Sequence, residues 1–161
     1  MLKKYYLNCF LLLIPLFLWN IIWVDFLPEG YSAAIFWKDI PLYVVYGENI
    51  LRIVLFVLPA IMVLSIKSQT EKIGLVLYLF GLALYFSSWL LQIFIPYSNW
   101  SQSLIGFMAP AFSTFVFFIG IGLIGNKAFF KFPYLSQLYI VLSILFVFFH
   151  SAHTYIVYTR L

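Results

Sequence analysis

Stretches of about twenty consecutive apolar residues recur from one end of the chain to the other, and no other feature restricts its fold as much. A run of that length spans the roughly 30 Å hydrocarbon core of a bilayer as a helix, which also satisfies its own backbone hydrogen bonds where no water can. Five such segments are readable: Tyr5 to Val24, Pro41 to Ile66, Ile73 to Ile95, Ser103 to Gly125 and Tyr134 to Val157. The expected fold class is an all-α integral membrane protein, a five-transmembrane-helix bundle forming a single membrane domain over residues 1–161, with an outer loop over residues 25–40. Composition excludes a soluble domain, since 65% of the 161 residues are hydrophobic and only 9% are charged, too few to cover a water-facing surface.

The charges that remain orient the bundle. Lys3, Lys4, Lys67, Lys72, Lys127 and Lys131 fall on one side of the five segments, while Lys38, Arg160 and Arg52, near its helix end, fall on the other. Positively charged loops stay in the cytoplasm, so the N-terminus is expected inside and the C-terminus outside. Trp19, Trp23, Trp37, Trp89 and Trp100 all lie toward the outer ends, as interfacial aromatic residues do. This arrangement accounts for the net charge of +4 without a nucleic-acid partner. Cys9 is the single cysteine, which excludes an intrachain disulfide and a cysteine-based zinc site. The first apolar run is longer than a signal-peptide core and has no small-residue cleavage site, so it reads as an uncleaved span. Residue usage rich in Phe, Ile, Leu, Tyr and Lys and poor in Arg points to a bacterium, and to the cell (inner, plasma) membrane as the location of a multi-pass chain.

Helix contacts are written in the small residues. Gly74, Tyr78, Gly81, Tyr85, Ser88 and Gln92 recur at spacings of three and four in the third segment, Gly106, Ala109, Ser113 and Gly120 mark a similar seam in the fourth, and Ser136, Ser143 and His150 recur at heptad spacing in the fifth. Small residues let helix backbones approach, and polar ones need protein partners in lipid. The fourth segment ends in "GIGLIG", Gly120 to Gly125, which matches a dinucleotide-binding pattern letter for letter. That pattern works only where a strand turns into a helix, so here it reads as close helix packing. "NWS" at Asn99 matches the glycosylation sequon but lies too close to the bilayer to be read as modified.

The chemistry concentrates in two segments. The uninterrupted apolar part of the second, Ile53 to Ile66, would be only about 21 Å long as a helix, so the helix must begin earlier, with Asp39 as its cap and Pro41 in its first turn. That start carries Glu48, Asn49 and Arg52 into the membrane. A charge there is unfavourable by roughly 2.5–3.5 kcal/mol on insertion scales, and Glu48 and Arg52, four residues apart, can pair along one helix face. The last segment brings His150 and His153 to one face at a spacing of three. Glu48, Arg52, His150, His153 and Gln92 are all expected in the same leaflet.

The expectation is an outward-facing intramembrane pocket, in which Glu48, His150 and His153 are the candidate catalytic groups and Arg52, Asn49 and Gln92 the candidate ligand-binding groups. Its ligand would be lipid-like, isoprenoid-like or another small molecule, the anionic head held by Arg52. His150, His153 and Glu48 are also candidate ligands of a divalent metal cofactor, although two nitrogens alone do not close a coordination sphere. Whether the site is catalytic is left open by the absence of a complete catalytic signature. The alternative is a non-catalytic accessory or scaffold subunit of a membrane complex, with a homo-oligomer or a partner membrane subunit satisfying the polar groups.

Overall fold

In the computed structural model, which describes residues 6–161, the chain is all-helical, with isolated β-bridges and no β-strand among the described residues. Five helices are long and apolar enough to cross a membrane: α1 (Cys9–Phe26), α2 (Leu42–Ile61), α3 (Gln69–Phe94), α4 (Leu104–Ile124) and α5 (Leu135–Tyr158). Lys3, Lys4 and Tyr5, used above to orient and begin the first segment, lie outside the described residues.

Local chemistry explains where the helices start and stop. The Asn8 side chain accepts from the Phe10 amide and opens α1. Ser68 and Glu71 form a reciprocal capping box at the start of α3, and Ser103 accepts from the Gly106 amide at the start of α4. At α2 the helical conformation begins at Leu42 with Pro41 as the cap residue, and Asp39 sits instead in a left-handed turn at φ 50°. The other end of α2 stops at Ile61 although the apolar run continues to Ile66. Pro59, which has no amide hydrogen, converts the last turn to a tighter 3-10 form, and Met62 is already extended.

The extended residues after α2 tie together the end of the bundle that carries Lys67 and Lys127. Cys9 N donates to Met62 O, Leu64 N to Leu7 O, Val63 N to Lys127 O and Phe129 N to Ile61 O. Beside them the fully buried Glu71 accepts from Ser65 Oγ, from the Lys67 and Ser68 amides and from Lys127 Nζ. Four donors on one carboxylate make this a latch between the α2–α3 and α4–α5 connections.

The helices close into a ring. The seams of α3 and α4 meet so closely that a Cβ on Gly74 would lie 2.9 Å from Gly120 O, and one on Gly81 would overlap the Phe117 backbone. Ser136 Oγ donates to Gly122 O between α5 and α4, and the Phe149 ring of α5 lies where a Cβ on Gly47 of α2 would be. Phe17 of α1 packs edge-on against Phe56 of α2, and Trp19 of α1 stacks on Phe86 of α3 at 4.0 Å. The order around the ring is thus α1, α3, α4, α5, α2. Toward the lysine end its centre is filled by Cys9, Leu13, Met62, Ile121, Ile124 and Tyr139. Toward the other end the filling gives way to a cavity.

Candidate functional site

Glu48 is the centre of the site. It faces inward from α2 with no exposure to solvent and accepts from three side chains. Arg52, one turn further along α2, reaches Oε1. His150 Nδ1 lies 3.0 Å from Oε1, and His153 Nδ1 lies 2.5 Å from Oε2. The i,i+3 spacing of the histidines and the glycine at position 47, which admits α5 close to α2, bring both rings to one carboxylate. Asn49 accepts from Arg52 at 3.0 Å and orients the guanidinium from the far side.

The two histidines occupy different surroundings. His153 is fully buried, packed against Phe36 at 4.4 Å and Trp37 at 4.7 Å, with its Nε2 2.8 Å from the Phe36 carbonyl oxygen. Phe36 and Trp37 come from the connection between α1 and α2, and the same Trp37 ring lies 5.8 Å from the Arg52 guanidinium. His150 is partly exposed, stacks on Phe146 and reaches the wall of the cavity.

All five helices contribute to that cavity, whose volume is about 370 Å³. Leu16, Phe17 and Asn20 come from α1, Arg52 and Phe56 from α2, Tyr85 and Trp89 from α3, Thr114, Phe117 and Phe118 from α4, and Phe146 and His150 from α5. Tyr85 donates to Asn20 Oδ1 at 2.6 Å, and the buried Trp89 Nε1 has no partner at hydrogen-bonding distance and angle. A smaller chamber of about 180 Å³ shares Val24, Tyr85, Trp89 and His150 with the first and is roofed by Tyr31 and Phe36. Tyr31 stacks on Phe107 and donates to its carbonyl oxygen at 2.7 Å, and burial pushes its phenol pKa up, so it stays a neutral donor.

Gln92 stands apart from this cluster. Pro110 has no amide to give to the Gly106 carbonyl four residues back, and Gln92 Nε2 fills that place at 2.8 Å while also reaching Ser101 O at 3.2 Å. Its amide therefore holds α3 to α4, whose helix carries Pro110 and is interrupted at Ser113. Among the described residues no group of three His, Cys, Asp or Glu side chains is arranged to hold a metal ion. Three of the four ring nitrogens are engaged in hydrogen bonds: both Nδ1 atoms address separate oxygens of one carboxylate, and His153 Nε2 addresses a carbonyl oxygen.

Sequence reasoning on the histidines and the acid did not reach Trp37, Tyr85, Trp89 or Thr114 as site residues. The i+4 series in α3 places Tyr85 and Trp89 inward, yet nothing in the pattern separates a cavity wall from a packed seam. The Phe36 contact is made by a backbone carbonyl and leaves no trace in residue type. The arrangement can hold a proton between an acid and an imidazole, and can present a guanidinium and an imidazole to a molecule in the cavity. No protein-family model, curated protein or solved structure matches the chain.

Proposed function

We propose that this chain is a multi-pass protein of the cell membrane, N-terminus in the cytoplasm and C-terminus outside, that binds a small or lipid-like ligand in the cavity between its five helices. The observation that carries the reading is the placement of Arg52 and His150, both bonded to the buried Glu48, on the wall of a cavity to which every helix contributes. Ionisable groups between apolar helices are costly and persist where they serve a pathway or a ligand. The rest of the wall is mostly aromatic and aliphatic, the usual composition of a small-molecule site, and its volume falls in the usual range of roughly 300–1,000 Å³. The lysines support this orientation, since Lys67, Lys72, Lys127 and Lys131 flank the end opposite the cavity, and positively charged loops stay in the cytoplasm.

Native mass spectrometry of the full chain, purified in a mild detergent, tests the reading. Thr114→Phe directs a ring into the cavity from α4 and leaves Glu48, Arg52 and both histidines unsubstituted. The expected result is a bound small molecule on the wild type that is lost from a folded Thr114→Phe protein. A wild type that retains no molecule and is not stabilised by any amphiphile offered to it would sink the proposal.

A further inference from the structure

The hydrogen bonds around His153 fix a charge. Its Nε2 faces the Phe36 carbonyl oxygen at 2.8 Å, and a carbonyl oxygen only accepts, so Nε2 carries a proton. Its Nδ1 faces Glu48 Oε2 at 2.5 Å, and a hydrogen bond there requires one proton between the two atoms. With that proton on nitrogen, an imidazolium stands beside a carboxylate. With it on oxygen, a neutral imidazole stands beside a carboxylic acid. Either way the Glu48–His153 pair has no net charge. His150 needs only the proton on Nδ1 to reach Oε1, and its neutral tautomer supplies that. Arg52 is always cationic. The cluster therefore carries one surplus positive charge, and among the described residues Glu48 is the single carboxylate within ion-pairing distance of it.

A surplus positive charge between apolar helices favours a counter-charge, because low-dielectric surroundings solvate and screen it less than water does, even with the Arg52 side chain 30% exposed. The only part of the cluster that faces open space is the part on the cavity wall, Arg52 and His150. Around them the wall offers donors: the Trp89 Nε1–H, which approaches the Tyr85 hydroxyl without a well-formed hydrogen bond, and the amide nitrogen of Asn20, whose oxygen is already taken by Tyr85. Away from them it is lined by Leu16, Phe17, Phe117 and Phe118. A cavity of about 370 Å³ has room for a head group and one short chain rather than for a two-chain lipid.

Resting on the reading of this cavity as a binding site, we infer that its ligand is a single-chain amphiphile with an anionic head, a carboxylate or a phosphate monoester, whose charge completes the Glu48–Arg52–His150–His153 cluster. The head lies against Arg52 and His150, and the chain lies along Phe117 and Phe118.

Tryptophan-fluorescence titration of the full chain in nanodiscs of zwitterionic lipid, with dodecanoate, monododecyl phosphate, dodecanol and inorganic phosphate, tests this. At least one of the two anionic amphiphiles should bind about tenfold or more tighter than dodecanol, with inorganic phosphate weaker than either. Arg52→Gln should abolish that preference while dodecanol still binds. If dodecanol binds as tightly as both anionic amphiphiles, the charge argument is overturned and the cavity reading survives. If inorganic phosphate matches the amphiphiles, the site takes a free anion and the amphiphile is overturned. If none of the four binds, the cavity reading itself fails. Should Arg52→Gln not fold, nitrogen NMR of histidine-labelled wild type with infrared spectroscopy of its carboxyl groups decides the charge. Either a His153 imidazolium or a protonated Glu48 is expected, and finding neither removes the surplus charge.

Discussion

His150 and His153 have the same side chain, three residues apart, yet the structure gives them different work. His153 is fully buried between two acceptors, so His153→Leu leaves Glu48 Oε2 and the Phe36 carbonyl without a donor. Breaking one partner out of a buried charged cluster costs about 3–5 kcal/mol. His150 is partly exposed on the cavity wall, and Glu48 keeps Arg52 and His153 when it is replaced. His150→Leu should therefore cost less, about 1.5–3 kcal/mol, the range of one hydrogen bond to a charged group, while weakening ligand binding. Thermal unfolding in detergent checks the order. Equal losses from the two substitutions would mean that the rings share one structural role.

At the scale of the element, Pro110 in α4 and the position of Gln92 are one device. Gln92→Leu removes the donor to Gly106 O and leaves a buried carbonyl unpaired, at a cost of about 1–3 kcal/mol. Pro110→Ala restores an amide four residues beyond Gly106, so the double substitution should be more stable than Gln92→Leu alone, a coupling that two independent sites would not show. A double-mutant cycle read by thermal unfolding checks this, and simple additivity would separate the two features. The α3–α4 seam is the second element-scale test. Gly81→Leu places a branched side chain on the Phe117 backbone, which cannot yield as a side-chain tip can. Overpacking of this kind costs about 1–3 kcal/mol or more, and it should also narrow the cavity, because Phe117 is part of its wall.

For the whole molecule the question is orientation. If the lysine end lies in the cytoplasm, a reporter that is active only there should be silent when fused after Leu161 and active when inserted between α4 and α5, near Lys127. A bright C-terminal fusion would reverse the bundle and put the cavity in the inner leaflet, leaving the Glu48 cluster intact but exposing it to a different set of ligands. The ring closure makes one further demand at this scale. The Glu71–Lys127 contact and the extended residues 62–64 hold the lysine end together, so motion that admits a ligand is expected at the opposite end, where Tyr31 and Phe36 roof the smaller chamber.

Apolar runs of bilayer length determined five helices, because the length of a helix and the hydropathy of its residues are properties of a local segment. The glycine seams were equally legible, since small residues at spacings of three and four leave few uses other than close helix contact. The cost of an isolated charge also made it readable that Glu48 and the histidines would need partners. Hydropathy does not, however, distinguish a buried helix from a buried extended strap, and the end of α2 at Ile61 was decided by Pro59 together with the backbones of residues 7–9 and 127–129. Nor does residue type reveal which way an amide faces. Gln92 was grouped with the polar cluster by depth, whereas the carbonyl freed by Pro110 holds it between α3 and α4. The cavity was the least legible feature of all. It is the volume that five side-chain sets fail to fill once the helices have closed into a ring, and such a remainder depends on how the segments pack together and on no one of them alone.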